Sequence, residues 1–287
     1  MTVLEVIQRS TDYLVRKGIE SPRLQAELML AEQLRLPRLQ LYLNHDRELR
    51  EDQLTVLREW IKRRGGHEPL QYILGHVNFC GVELEVSSNV LIPRPETEVL
   101  AEHAWQFLEA REPLHPSGAI ILDFATGSGC LAIALACRIP TARILAVDLS
   151  WPALVLARHN AQRHQVADRI QFWQGNSLAA LSPMAWLDLV VSNPPYIPTS
   201  DLAILQPEVR DYEPRLALDG GPDGLAFFRS LAREAALCLR TGGRLLAEFG
   251  DGQEALLPSV FSPPLWRVEA IRNDNANKPR ILVAVRE

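Results

Sequence analysis

Asp123-Phe124-Ala125-Thr126-Gly127-Ser128-Gly129 is the stretch on which the reading of the fold turns. It follows the apolar run Ala119–Leu122 and precedes Cys130–Cys137, which is apolar throughout. A buried strand, a turn of small residues and a helix start explain that order. Small residues in such a turn let a ligand approach the backbone and the helix N-terminus. Asp148 ends the next apolar run, 21 residues beyond Gly127. A carboxylate there can accept from both hydroxyls of a ribose, which indicates a nucleoside-containing cofactor.

Outward from this stretch, strand and helix patterns alternate. Strands are expected at Ala119–Phe124, Arg143–Asp148, Arg169–Gln174, Leu187–Ser192, Gly243–Phe249, Trp266–Ile271 and Arg280–Val285. Helices are expected at Gly129–Arg138, Ser150–Gln165, Asp223–Arg240 and Gln253–Val260, with another from about Glu96 to Ala110. The alternation predicts an α/β fold, a seven-strand mostly parallel Rossmann-like sheet covered on both faces. No helical pattern separates the last two strands, so the final connection reads as a hairpin with an antiparallel last strand. Residues 1–75 instead carry helical periodicity. Thr2 caps a first helix that Gly18 ends, Ser21-Pro22 opens a second, and Gly65-Gly66 stops a third that starts near Glu51. Residues 76–95 read as a connector hairpin, with Phe79, Val82, Leu84 and Val86 alternating before the rigid Leu91-Ile92-Pro93-Arg94-Pro95-Glu96. The α/β domain is then 96–287.

The 287 residues are 47% hydrophobic and 23% charged, which excludes a disordered chain or a disulfide-stapled miniprotein. No apolar run approaches the roughly 20 residues of a membrane span, and Met1–Val6 carries Glu5 and no secretory pattern. The expected compartment is the cytoplasm. Up to Cys80 the chain has 12 basic and 11 acidic residues, and beyond it 18 and 24. Neither part shows the basic excess of a protein that lives on phosphates, so no stable nucleic-acid binding is expected. Cys80, Cys130, Cys137 and Cys238 show no paired spacing and read as free thiols. The seven scattered histidines suggest no metal site.

Two cofactors compete for the loop. Gly127-x-Gly129-x-x-Ala132 with Asp148 satisfies the dinucleotide fingerprint, although that match alone is weak. Asp123 favours the other choice: it would repel a pyrophosphate and suits the cationic amino-acid end of S-adenosylmethionine, unless it merely caps the helix. The second motif decides between them. Asp188-Leu189-Val190-Val191-Ser192 runs into Asn193-Pro194-Pro195-Tyr196. Two prolines fix the backbone and remove two donors. The Asn193 side-chain oxygen and the Pro194 carbonyl can then accept both hydrogens of one –NH₂ group, with Tyr196 offering a flat face. That arrangement aims a delocalised, poorly nucleophilic nitrogen at an already activated methyl group, and so catalyses by positioning.

These residues resemble the HemK-type (PrmC-type) release factor glutamine methyltransferases, over nearly the whole chain. Asn-Pro-Pro-Tyr is shared with adenine amino-methyltransferases. More specific are Pro69–Gly75, Leu91–Glu98, Glu208–Pro214 and Ala217–Gly224. The resemblance implies S-adenosylmethionine-dependent methylation of the side-chain amide nitrogen (N5) of the glutamine in the Gly-Gly-Gln loop of class I peptide chain release factors. It implies an N-terminal helical domain that docks the release factor. It also implies cofactor contacts at Ala125, Thr126, Gly127, Ser128, Gly129, Asp148 and Asn193, and substrate contacts at Asn193, Pro194, Pro195 and Tyr196; Asp123 joins the cofactor contacts through its charge, and Asn176 and Ser177 through their place after the third strand. Arg94, Glu96 and Glu98 either touch substrate or brace the connector. Three positions depart from the family pattern. Ala125 stands where glycine is usual, tolerable at negative φ and strained at positive φ. Asn176 replaces an acid, and Ser177 a bulky side chain in some members. The alternatives are an adenine amino-methyltransferase acting on DNA or RNA, a catalytically silent cofactor-binding scaffold, and, more distantly, an NAD-dependent dehydrogenase.

Overall fold

A threonine and a glutamate three residues apart start the first helix. The Glu5 backbone N–H donates to Thr2 Oγ1, and the Glu5 carboxylate accepts from the Thr2 N–H at 3.0 Å, a reciprocal cap. The computed structural model describes residues 1–110, 118–178 and 186–287, which divide into two units. The first unit is Met1–His76 with Gln206–Tyr212. Its helices are α1 (Val3–Arg16), α2 (Pro22–Leu34), α3 (Arg38–Leu43), α4 (Glu51–Gly65) and α5 (Leu70–Leu74). Val6, Leu14, Met29, Leu30, Leu41 and Leu57 are among the side chains of its core. Ser21 was the expected cap of α2, but it lies in the left-handed region at φ 47 with no side-chain cap bond. Pro22 at the first helical position presets the helix instead.

Within this unit the buried Arg64 guanidinium donates to Glu208 at 2.9 Å, to the Glu68 carbonyl at 3.1 Å and to Gln25. The Tyr212 hydroxyl donates to the Gly66 carbonyl at 2.7 Å. The segment 206–212 is therefore pinned to the helical unit by a satisfied buried charge. Glu27, also buried, accepts from Arg23, Arg38 and Tyr42.

The second unit is Val77–Leu205 with Glu213–Glu287. It opens with a hairpin, β1 (His76–Phe79) and β2 (Val82–Glu85), turned by Cys80 and Gly81 at φ 50 and 79. The chain continues through α6 (Pro95–Glu109), β3 (Ile120–Phe124), α7 (Cys130–Arg138), β4 (Arg143–Asp148) and α8 (Trp151–Arg163). Next come β5 (Ile170–Gln174), β6 (Leu187–Ser192) and, within the segment assigned to the first unit, α9 (Pro207–Tyr212). Last are α10 (Ala226–Cys238), β7 (Leu239–Glu248), α11 (Leu257–Val260), β8 (Trp266–Asn273) and β9 (Pro279–Arg286).

The expected seven-strand sheet forms, in the order β5-β4-β3-β6-β7-β9-β8. The first five pair in parallel, while β9 runs antiparallel to both β7 and β8. Alternate side chains divide between two cores. Ile121, Ile144, Leu189 and Leu246 pack with α6 and α7 on one face; Leu122, Leu145, Val190 and Leu245 pack with α10 on the other. Strand order reverses between β3 and β6, and the crevice beyond the carboxyl ends of such strands is where open α/β sheets bind ligands. Among the described residues no helix is long and apolar enough to cross a membrane.

Candidate active site

A cavity of about 300 Å³ opens at that crevice, within the range of small-ligand sites. Its wall includes Ala125–Ser128 after β3, Asp148 at the end of β4, Asn176 after β5, and Asn193 and Pro195 after β6. Four strand ends thus converge on one space.

Asp148 is held from two sides. Its Oδ2 accepts from the Gly127 N–H and its Oδ1 from the Ser150 N–H, both at 2.8 Å. Each oxygen keeps lone-pair capacity toward the cavity it lines. Burial raises its pKa, and the amides of Ser150, Gly127 and Leu149 oppose that shift. A Cβ built on Gly127 meets nothing within 4 Å among the described residues, so the turn leaves open space there. Gly129 has a different duty. It lies at φ 82, and a Cβ on it would come within 3.0 Å of Ala157 Cβ and 3.1 Å of Ile133 Cδ1. It is absent from the cavity wall and serves the packing of α7 on α8.

Asp123 was expected to face the cofactor's cationic end. The structure instead buries it completely beneath the loop and off the cavity wall. Its Oδ2 accepts from Thr126 Oγ1 at 2.6 Å and from the Ala132 N–H at 3.0 Å, so it braces the loop and caps α7. Its Oδ1 is buried and has no hydrogen-bond partner among the described residues. Burial pushes its pKa up to about 7 against those two bonds, with the Asp148 charge adding to the rise. Ser177 is also away from the wall; its hydroxyl donates to Glu234 of α10 at 2.8 Å, while Asn176 faces the cavity. Ala125 adopts φ 63, the left-handed conformation that favours glycine.

The Asn193–Tyr196 turn is gripped by residues that its own sequence does not disclose. Asn193 Nδ2 donates to Thr97 Oγ1 at 2.9 Å, and Thr97 Oγ1 donates to Glu248 Oε2 at 2.6 Å. The Tyr196 hydroxyl donates to Glu248 Oε1 at 3.2 Å. Glu248 ends β7 and is 1% exposed. Burial pushes its pKa up to about 7, while the bonds from Thr97 and Tyr196 and the Arg280 charge resist. Glycines close round Tyr196. A Cβ on Gly220 would lie 2.7 Å from Tyr196 Cα, one on Gly224 2.3 Å from its carbonyl oxygen, and one on Gly250 2.9 Å from its ring. Gln253 Nε2 donates to the Tyr196 carbonyl at 3.0 Å and to the Gly224 carbonyl at 3.2 Å. Tyr196 and Pro194 lie off the cavity wall, with the Tyr196 ring against Gly250.

Arg94 pairs with the buried Glu213 at 2.5 Å, and Glu98 accepts from the Cys80 N–H at 2.8 Å. These two brace the connector. Asn160, wholly buried in α8, accepts from the Glu85 N–H and donates to the carbonyls of Glu85 and Ser128, tying hairpin to loop. Sequence reasoning missed Thr97, Glu248, Asn160, Gln253 and Glu234. For Glu248 a signal exists: an acid closing the apolar run Leu245-Leu246-Ala247, as Asp123 closes its own.

Sheet order, loop and turn together define a methyltransferase of the seven-strand class. Over 277 residues, 96% of this chain and 94% of its relative, the sequence is 46% identical to the release factor glutamine methyltransferase of Chlorobaculum tepidum. The chain belongs to the release factor glutamine methyltransferase family. The Geobacter sulfurreducens member is 44% identical over 91% of this chain and 88% of its own. Residues 5–75 match the PrmC N-terminal domain and residues 106–222 the methyltransferase small domain. The hMettl16 catalytic domain shares the fold, with a TM-score of 0.55 at 14% identity over 83% of this chain and 82% of that one.

Proposed function

We propose that this chain transfers a methyl group from S-adenosylmethionine to the side-chain amide nitrogen of the glutamine in the Gly-Gly-Gln loop of class I peptide chain release factors. The observation that carries the reading is the fixed carboxamide of Asn193. Its Nδ2 is committed to Thr97, so its Oδ1 is left as an acceptor on a residue of the cavity wall.

The residues fit the cofactor. Asp148 presents two carboxylate oxygens with spare lone pairs for the ribose hydroxyls, Gly127 leaves room for close approach, and Asn176 offers a carbonyl oxygen to the adenine amino group. The unpartnered Asp123 Oδ1 adds a buried acceptor under the loop, suited to a positive charge beside it. When bound, S-adenosylmethionine supplies a methyl group on a positively charged sulfur, already activated for transfer. The chain's own part is orientation. Asn193 Oδ1 and the Pro194 carbonyl accept the two hydrogens of the target amide and direct its nitrogen lone pair into the cavity. Pro195 stiffens the turn, and the Tyr196 hydroxyl anchors its far end on Glu248. No strong base is required, because the nitrogen becomes acidic once alkylated. The helical unit, with residues 1–75, docks the release factor, and the cytoplasm is the compartment that suits this substrate.

Purified protein is incubated with methyl-labelled S-adenosylmethionine and either intact release factor or adenine-containing DNA and RNA. The reading predicts label in the protein alone. Label in nucleic acid would favour an adenine amino-methyltransferase instead.

A further inference from the structure

Asn193 could present either edge of its carboxamide to the cavity, and only one edge can accept from an –NH₂ group. The choice is made by hydrogen-bond bookkeeping three residues deep. An ionised Glu248 has no hydrogen to give, so both of its oxygens can only accept. Thr97 has one hydroxyl hydrogen, and it goes to Glu248 Oε2 at 2.6 Å. The Thr97 oxygen is then an acceptor for Asn193, which must turn its Nδ2 toward it, at 2.9 Å, and its Oδ1 away. The other Glu248 oxygen holds the Tyr196 hydroxyl at 3.2 Å. One buried carboxylate therefore ties down both ends of the Asn193–Tyr196 turn, one end through Thr97. Thr97 itself is 1% exposed and stands in the first turn of α6.

We propose that Thr97 and Glu248 are positioning residues that set the polarity of the Asn193 carboxamide, so that its oxygen rather than its nitrogen receives the target amide. The inference rests on the reading of Asn193 as the acceptor for that amide. It adds a dependence on protonation. A protonated Glu248 can donate to Thr97 Oγ1, which frees the Thr97 hydrogen for Asn193 Oδ1 and occupies the acceptor that the substrate needs. Transfer should then fail as Glu248 takes up its proton. Tyr196, Arg280 and Glu96 are the titratable or charged groups whose fields act on Glu248. Arg280 holds it ionised, and Glu96 opposes.

The test measures kcat and KM for intact release factor across pH, with cofactor affinity and melting temperature alongside. Thr97→Val keeps the shape and removes the hydroxyl; kcat should fall roughly 10- to 100-fold, the worth of one buried hydrogen bond. Cofactor affinity and KM should stay within about 3-fold. Thr97→Ser, which restores the hydroxyl, should recover most of that loss. Wild-type kcat should decline in acid as Glu248 is protonated, and Glu248→Gln, neutral at every pH, should lose that acid limb. The inference is overturned if Thr97→Val keeps wild-type kcat, if Thr97→Ser fails to recover in a correctly folded protein, or if the acid limb persists in Glu248→Gln. A wild-type protein that transfers no methyl to release factor would refute the proposed function itself, an outcome distinguishable from all three.

Discussion

Replacing Ala125 by glycine should stabilise the protein and leave cofactor binding equal or tighter. Ala125 holds φ 63 in the loop after β3, where its methyl group lines the cavity. An L-residue in the left-handed region bears roughly 1–2 kcal/mol of steric cost that glycine avoids. Glycine gives back roughly 0.5–1 kcal/mol through its freer unfolded chain. The balance favours Ala125→Gly by about 0–1.5 kcal/mol, a rise in Tm of up to about 6 °C for a chain of this size. Ala125→Val should move the other way, because a β-branched side chain tolerates that backbone least. Urea unfolding gives the stability difference, and calorimetric titration with S-adenosylmethionine gives the affinity. Destabilisation of about 1 kcal/mol or more by Ala125→Gly, or a 10-fold loss of affinity, would refute the reasoning: the methyl group would then be a contact and not a burden.

Four further outcomes follow from the site. Asn193→Ala should cut kcat by roughly 10- to 100-fold while leaving cofactor affinity nearly unchanged, as measured by turnover and titration; near-wild-type turnover removes Asn193 from its role. Asp148→Ala should weaken S-adenosylmethionine binding by about 10-fold or more, because a charged acceptor is lost and the Gly127 and Ser150 amides lose their partner; unchanged affinity would make Asp148 a brace only. Burial raises Glu248 from 4.5 to about 7, so the folded protein binds its proton more tightly than the unfolded chain does. That stability is fully present below 4.5 and is lost as pH rises through about 7. Wild type should accordingly lose stability relative to Glu248→Gln between pH 5 and pH 8 in urea unfolding, and a pH-independent difference would contradict it. A short Gly-Gly-Gln peptide should be methylated with a much lower kcat/KM than intact release factor; equal values would remove the docking role of the helical unit.

β4 and β6 were legible because each carries an apolar run closed by a polar residue, Ile144–Val147 before Asp148 and Leu189–Val191 before Ser192. Arg143–Asp148 and Leu187–Ser192 match the structure residue for residue. The start of β7 was not. A helix to Arg240 and a strand from Gly243 are expected, yet α10 ends at Cys238 and β7 begins at Leu239, with a register shift against β6 between Leu187 and Leu189. The loop residues around Gly127 and the Asn193 turn could be read because their chemistry is local: small residues, fixed φ and removed donors. Thr97 and Asn160 could not, and Glu248 only as an acid closing an apolar run, because each acquires its role from a partner 75 to 151 residues away. Asp123 illustrates the limit differently. Its sequence position allowed both a cofactor contact and a helix cap, and only burial with its bonds to Thr126 and Ala132 reveals the brace. For Ala125 the sequence posed a choice between two signs of φ, and the backbone answered with the strained one.

The central claim is that one glutamine amide in a protein loop receives the methyl group. The most direct measurement is fragmentation mass spectrometry of release factor recovered after reaction with labelled S-adenosylmethionine. The account predicts a single methyl group on the side-chain nitrogen of the Gly-Gly-Gln glutamine, and none when that glutamine is replaced by alanine. Methylation at another residue, or a methyl group that survives the replacement, would contradict it.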